Sequence, residues 1–260
     1  MGPVRFAFLE HEGPIPFAHR GGAADGLENS LAAFARAVDL GFRYLETDVH
    51  ATADGVLLAF HDRTLDRVTD LVGRVAELPW RMVRKARIGG REPIPLLEDV
   101  LGTWPEVRVN IDVKHPGAID PLVRALRRTG AVDRVCVASF SERRLAAVRR
   151  QVGPGLCTAL GPRGVALLRA AATHDRAAVL AGRRHRLVPC AQVPDRFGPL
   201  RVVTSGLVDL AHERGQRVHV WTVDDAGDMR RLLDLGVDGI MTDQLETLRD
   251  VLRERDLWHT

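Results

Sequence analysis

Glu46 and Asp48 lie two residues apart in the run YLETDVHATADGVLLAFHD, residues 44–62. In an extended strand successive side chains alternate faces, so these two carboxylates point the same way. They repel each other unless positive charge sits between them. A divalent cation with oxygen ligands meets that need, and a site that keeps some waters or substrate oxygens requires only two or three protein carboxylates. The same run ends in His61-Asp62. Upstream, His19-Arg20 precedes Gly21-Gly22, and downstream IDVK carries Asp112 and Lys114, which again share a face. Three carboxylates, two histidines, an arginine and a lysine are the equipment for moving protons beside a bound cation. Taken by itself, the 44–62 run also reads as a β-hairpin turning at Asp54-Gly55, with polar residues on its wet face.

These residues must be delivered by several separate elements. Ile15 to Ala18 read as a short strand that ends in His19-Arg20, where two glycines free the backbone to turn. Residues 1–14 read as a poorly ordered lead, in which Phe6, Phe8 and Leu9 form an apolar patch or pack against the body. Ser30 is placed to cap a helix over LAAFARAVDL, with Leu31, Phe34, Ala35 and Val38 on one face and Gly41 as its stop. Further strand signals fall at 107–113, 135–140, 156–160, 187–193, 218–223 and 237–242. Helical periods separate several of them, at 121–129, 142–151, 165–172, 206–213, 226–235 and 245–253. This alternation predicts an α/β fold with a parallel sheet, and a closed (β/α)₈ barrel suits a chain of 260 residues. In such a barrel the active site is built at the carboxyl ends of the strands, where the polar residues collect.

The count is nine strand candidates for eight places, so either 156–160 or 187–193 is expected to lie outside the barrel. The link from Asp48 to Val56 is too short for a helix and is expected to run back down the outside as extended chain, making the barrel irregular there. Residues 63–104, with several prolines and Gly89-Gly90, read as an insertion partly covering the site. No repeat or linker divides the chain, so 1–260 is expected to be a single domain.

Composition narrows the function. Lys plus Arg number 37 against 34 Asp plus Glu, a net charge of +3, which gives little ground for nucleic-acid binding. Cys136, Cys157 and Cys190 are odd in number and set in apolar runs, as reduced core thiols are. With no secretory or membrane-spanning stretch, a cytoplasmic enzyme without stable membrane insertion is expected. The absence of a Walker loop, a GxGxxG after a strand and a GxSxG elbow excludes those nucleotide and esterase chemistries as first choices. Nothing in the sequence signals an oligomeric state.

At HRG (19–21), ENS (28–30), ETD (46–48), FHD (60–62), TLDRVTD (64–70), IDVK (111–114), VHVWTVD (218–224) and GVDGIMTD (236–243) the chain resembles the glycerophosphodiester phosphodiesterase family. The resemblance runs through nearly the whole chain in order. It implies a phosphatidylinositol-phospholipase-C-like TIM barrel that uses Mg²⁺ or Ca²⁺ to hydrolyse a small-molecule glycerophosphodiester to glycerol 3-phosphate and an alcohol. By the same resemblance Glu46, Asp48 and Asp112 hold the metal and His19 and His61 are the catalytic acid and base. Arg20 and Lys114 bind phosphate oxygens, and Trp221 is a candidate for the substrate pocket. The substrate's glycerol hydroxyl would attack phosphorus to give a cyclic phosphate that water opens, with His19 on the nucleophile side and His61 protonating the leaving alcohol.

The chain departs from the family pattern at Asp112, where Glu is common, at Ser30 for Thr, and at Leu97 in a stretch that usually carries threonine. Asp112 keeps a lysophospholipase D or sphingomyelinase D-like activity open as an alternative. It could instead serve only as an ion-pair partner of Lys114, as Arg20 could of Glu28 or Glu46. Trp221 could belong to the core. An inactive phosphometabolite-binding module is the remaining alternative, although a pure binder would need no acid-base pair. Of the other histidines, His50, His115, His174, His185, His212, His219 and His259 read as structural or surface residues.

Overall fold

A computed structural model describes residues 6–23, 26–173 and 188–259. Eight parallel strands form the barrel: β1 (Ile15–His19), β2 (Tyr44–Ala51), β3 (Arg108–Val113), β4 (Val135–Ala138), β5 (Cys157–Thr158), β6 (Cys190–Pro194), β7 (Arg217–Trp221) and β8 (Gly239–Thr242). Neighbours pair in sequence order around the ring, and β8 closes onto β1. The β5–β6 seam is held by one parallel bridge, Ala159 to Cys190, and by the Leu160 N–H donating to the Cys190 carbonyl at 2.8 Å.

Helices follow the strands in the expected alternation: α1 (Leu31–Asp39), α2 (Leu97–Thr103), α3 (Ile119–Thr129), α4 (Glu142–Val152), α5 (Pro162–Ala171), α6 (Ser205–Glu213), α7 (Ala226–Asp234) and α8 (Leu245–Arg253). Their apolar faces pack on the barrel exterior in two clusters of buried side chains, for example Phe34, Leu207, Leu232 and Leu248 in one and Leu101, Leu122 and Leu145 in the other. Removing such side chains from water is the main favourable term of the fold. Side-chain caps start several helices as their sequences suggest, Ser30 Oγ accepting from the Ala33 N–H at 3.1 Å and Asp225 Oδ1 from the Asp228 N–H at 2.9 Å.

Both 156–160 and the described part of 187–193 contribute barrel strands, which corrects the expectation that one lies outside. The ninth candidate is the outsider: Leu57–Ala59 turns back antiparallel on β2, pairing Val49 with Ala59 and Ala51 with Leu57. The link between them is a tight turn around Asp54-Gly55, not an extended run down the barrel's outside. The hairpin reading and the barrel reading of 44–62 are therefore both met, because the strand extends beyond the barrel ring before folding back. Phe60 then donates its N–H to the Asp48 carbonyl at 2.8 Å, so His61 returns to the level of the β2 carboxylates.

From Phe6 the lead is ordered, which corrects the expectation for that part of it. Ala7–Leu9 form a short 3₁₀ turn whose Phe8 and Leu9 are buried with Phe17 and Tyr44 at the amino-terminal end of the barrel. The Tyr44 hydroxyl donates to the Phe8 carbonyl at 2.9 Å. Residues 63–104 carry a 3₁₀ turn, a one-turn helix at Trp80–Val83, a two-residue β-pair and α2. A cluster of Leu65, Val75, Val83, Ile88 and Ile94 packs them on Leu58 and Phe60 of the hairpin.

Candidate active site

The register of β2 against β3 sets the depth of the acids. Glu46 pairs with Asn110 and Asp48 with Asp112, so Asp112 lies level with Asp48 as the two-residue period predicts. All three acids are buried, at 4%, 2% and 7% exposure for Glu46, Asp48 and Asp112.

Two cations reach into this group. Lys114 Nζ lies 2.8 Å from Asp48 Oδ1 and 2.6 Å from Asp112 Oδ2, and Arg20 Nε lies 3.0 Å from Asp48 Oδ2. Asp112 thus pairs with Lys114, and Arg20 also donates to Glu28 at 3.0 Å. Burial alone would raise the Asp48 pKa, but Lys114 and Arg20 outweigh it and hold this carboxylate below its usual range. For Asp112 burial wins over Lys114, and its pKa rises. Among the described residues Glu46 has no lysine or arginine in ion-pair contact, only the His19 ring at 3.7 Å. Burial, and then the charge of Asp48, push Glu46 up to about 7.

The loop after β1 aims Arg20 inward. Arg20, Gly21 and Gly22 all have positive φ, at 52°, 80° and 86°. For Arg20 this left-handed backbone is unfavourable, and it is held by the Arg20 N–H donating to the Glu46 carbonyl at 2.9 Å and by the ion pairs of the side chain. Gly21 is required, because a Cβ there would stand 2.8 Å from the Ala33 backbone.

Each of the two predicted histidines is oriented by a carboxylate. His19 Nδ1 is 2.8 Å from Asp243 Oδ1, which leaves Nε2 facing Glu46 at 3.7 Å. Burial lowers the His19 pKa, but the Asp243 hydrogen bond and the Glu46 charge together raise it above the usual value. His61 Nδ1 is 2.6 Å from Asp62 Oδ1. His50, set aside as structural, is buried and bonds the His61 carbonyl through Nε2 at 3.0 Å; burial lowers its pKa to about 4.

Several participants had no assigned role in the sequence. Arg67 donates to Asp62 at 2.6 Å and to both Glu28 oxygens at 2.7 and 2.8 Å, so it ties the His61 support to the Arg20 support. Asn29 accepts from Thr47 at 2.6 Å and reaches Asp48 at 3.4 Å. Their signal was position: Asp62, Arg67, Asp243, Glu28 and Asn29 all sit inside or beside the resembling motifs. Of the remaining histidines, His212 pairs with Asp238 and His219 is buried in the barrel, while His174 and His185 lie outside the described residues.

Over this cluster opens a cavity of about 600 Å³. His19, Arg20, Glu46, Asp48, His61, Asp112 and Lys114 line it, and the site residues predicted from sequence therefore face one space. Trp221 joins them at the wall, edge-on to Phe140 with ring centres 5.6 Å apart.

The carboxylates are hard oxygen donors of the kind Mg²⁺ and Ca²⁺ take. Asp112 Oδ1 is buried without a hydrogen-bond partner among the described residues, and Glu46 has no lysine or arginine in ion-pair contact among them, only the His19 ring at 3.7 Å. The donor set thus fits a divalent cation in chemistry. It is not collapsed around a point, since the cysteine trio is the only group of three potential ligands among the described residues with all donor atoms within 4.8 Å.

The sequence profile described as the glycerophosphoryl diester phosphodiesterase family matches residues 19–247. The chain belongs to this family. It is 45% identical, over 99% of its length and 97% of the relative's, to the "Probable glycerophosphodiester phosphodiesterase 2" of Mycobacterium tuberculosis. It is 31% identical to a glycerophosphodiester phosphodiesterase of Caldanaerobacter subterraneus subsp. tengcongensis, over 92% of this chain and 98% of that one. A crystal structure from Silicibacter pomeroyi, described as a candidate glycerophosphoryl diester phosphodiesterase, superposes with a TM-score of 0.81 at 26% identity, covering 98% of this chain and all of the other. The barrel and the family agree, and the matched range contains the clustered side chains.

Proposed function

We propose that the protein is a divalent-metal-dependent phosphodiesterase that hydrolyses glycerophosphodiesters to glycerol 3-phosphate and an alcohol by acid-base catalysis with His19 and His61. The observation that carries this reading is the pair of carboxylate-oriented imidazoles lining one cavity with Arg20, Lys114 and three buried acids. Glu46, Asp48 and Asp112 would hold Mg²⁺ or Ca²⁺, which supplies positive charge to the phosphate when bound.

The chain's own groups account for the remaining work. With Nδ1–H given to Asp243, His19 presents Nε2 to take the proton of the attacking hydroxyl. The Asp243 carboxylate then stabilises the imidazolium. His61, held through Nδ1 by Asp62, presents Nε2 to protonate the departing alkoxide, and Arg67 fixes Asp62. Arg20 and Lys114 are the charges available to the phosphate oxygens, and Trp221 is a wall against which a substrate packs. Proton transfers of this kind are worth about 10² to 10⁴ in rate.

We further propose that residues 63–104 form part of the same single domain and partly cover the site, and that the enzyme is cytoplasmic, as the three free buried cysteines favour. No helix among the described residues is long and apolar enough to cross a membrane. The function is tested by turnover of a panel of glycerophosphodiesters in EDTA, Mg²⁺ and Ca²⁺. Release of glycerol 3-phosphate with an added cation, and less than about one per cent of it in chelator, is expected; full turnover in chelator refutes the metal assignment. Asp112→Asn should weaken cation binding strongly, whereas Asp112→Glu should keep activity with a changed preference between Mg²⁺ and Ca²⁺.

A further inference from the structure

Cys136, Cys157 and Cys190 stand far apart in the sequence and show no metal-ligand spacing. The barrel brings them together. Cys136 faces the interior from β4, Cys157 from β5 and Cys190 from β6. Their three sulfurs lie within 4.8 Å of one another, with Cys136 and Cys190 at 3.8 Å. All three are free thiols, at most 1% exposed. Four-coordinate zinc with Zn–S bonds of about 2.3 Å holds its sulfurs about 3.8 Å apart. The trio therefore has close to the spacing of three corners of such a site, and the widest pair needs to close by at most about 1 Å.

The surroundings set these sulfurs apart from thiols that merely fill a core. Two positions beyond each cysteine, on the same inward face, stand Ala138, Ala159 and Gln192, and all three line the cavity that holds His19 and His61. Only two methyl groups and one amide thus separate that cavity from the sulfurs. The Gln192 amide donates to Asn110 Oδ1 at 2.8 Å and lies 4.0 Å from Cys136 Sγ. Strand register puts Cys136 level with Cys157 on one side, and with Asn110 and then Glu46 on the other.

Charge and donors point the same way. Arg149 of α4 is held behind β5, donating to Thr158 Oγ1 at 2.8 Å and to the Ala159 carbonyl at 2.9 Å, where its charge acts on all three sulfurs. A fixed cation there offsets the negative charge of a metal held by thiolates, which a dry interior otherwise resists. His219 on β7 is fully buried, and its Nε2 has no hydrogen-bond partner among the described residues. Burial lowers its pKa and favours the neutral imidazole, the form that ligates metals. Burial also pushes the Cys136 and Cys157 thiols well up, while hydrogen bonds from these two lower Cys190. A bound metal must therefore displace protons from the trio.

We propose that Cys136, Cys157 and Cys190 form a second metal site, separate from the carboxylates, that takes one thiophilic cation of the Zn²⁺ class through three sulfurs. Each thiol that ligates gives its proton to solvent. Thiolates select such softer ions, whereas Glu46, Asp48 and Asp112 offer oxygens to hard ones. The fourth position is left to water from the cavity or to His219.

The test titrates the full chain with Cd²⁺ as the probe, reduced, under argon and in saturating Mg²⁺ so that the carboxylates are occupied. Thiolate ligation gives an ultraviolet charge-transfer band that oxygen ligation does not. The band should saturate at one Cd²⁺ per chain with the circular dichroism of the fold unchanged, be displaced by Zn²⁺, and persist in Glu46→Gln. Affinity should rise at least about tenfold per pH unit between about pH 6 and pH 8, and Cys136→Ala, Cys157→Ala and Cys190→Ala should each weaken binding at least about 100-fold. Zn²⁺ at about 100 times its Kd should raise the wild-type Tm by at least about 4 °C, and each variant should lose that rise. The rise is read within one protein, so it is independent of what a substitution does to stability. No band at saturating Cd²⁺, a band that appears only as the fold is lost, or one that survives in any folded cysteine variant overturns the proposal. None of these readouts depends on turnover, so the phosphodiesterase reading stands or falls separately.

Discussion

Asp243→Asn isolates the part of the proposed mechanism that is written most clearly in the geometry. The Asp243 carboxylate is 2.8 Å from His19 Nδ1 and its side chain is 23% exposed. A charge pair about 4 Å apart at an effective dielectric constant of about 20 interacts by about 4 kcal/mol. Exposure at one edge reduces this by roughly half, to about 2 kcal/mol, or about 30-fold in the rate of a step that generates imidazolium. The amide can also present its NH₂ to the ring and favour the wrong tautomer. The combined loss in kcat should be about 10² to 10³, below the roughly 10⁴ that such a change costs a fully buried carboxylate. Direction on the pH axis adds a second readout. Asp243 is among the groups that raise the His19 pKa, and a base works only when deprotonated. Removing the negative charge should therefore move the acid limb of kcat/KM to lower pH even as the plateau falls. The assay is a pH profile of kcat/KM on glycerophosphocholine with saturating divalent cation. Activity within threefold of wild type, with an unmoved acid limb, would refute the role given to this pair.

Other consequences can be checked separately. His19→Ala and His61→Ala should each lower kcat by about 10² to 10⁴ with the fold kept, and a nitrophenyl leaving group should rescue His61→Ala more than His19→Ala; equal rescue of both would refute the division of roles. Because burial and Asp48 raise the Glu46 pKa to about 7, the metal-free folded chain holds a proton there that the unfolded chain has released above about 4.5. Cation binding must displace that proton, so calorimetric affinity should fall about tenfold per pH unit below about 7; a flat profile from pH 5 to pH 7 would contradict this. By the same sign, the Glu46 contribution makes the metal-free protein less stable as pH rises through that window. Gly21→Ala places a Cβ 2.8 Å from the Ala33 backbone at φ 80°. It should cost at least about 2 kcal/mol, read as a fall in Tm of at least about 4 °C, and an unchanged Tm would mean that the loop has room to shift.

Side-chain parity and strand alternation made much of this legible in the sequence. Glu46 with Asp48 and Asp112 with Lys114 were placed on common faces by a period of two, and the register of β2 on β3 then put Asp48 level with Asp112. The helices over 142–152, 226–234 and 245–253 follow from their apolar spacing and local caps. Long-range pairing was harder to see. Nothing local in VLLAF distinguishes a barrel strand from a strand that folds back on β2, because the choice is made by the tight turn at Asp54-Gly55. The short β5, two residues long, pairs with β4 at two positions but meets β6 only through the bridge at Ala159, and looks weak as a strand for that reason. Asp243 and Arg67 were visible as residues, but their roles depend on contacts 224 and 39 positions away along the chain. The apolar side of the cavity was equally hidden, since Leu160 after β5, Val165 of α5, Phe197 and Leu200 of a β-turn and Trp221 of β7 come together there without sharing a motif.

The most direct test of the account follows phosphorus by ³¹P NMR during turnover of glycerophosphocholine with added Mg²⁺ or Ca²⁺, using wild type, His19→Ala and His61→Ala at equal concentration. The account predicts that the diester resonance gives way to that of glycerol 3-phosphate with wild type, and that both variants lag by at least about 10²-fold. A diester signal that stays unchanged with wild type under both cations, or monoester appearing at the wild-type rate in either histidine variant, would contradict it.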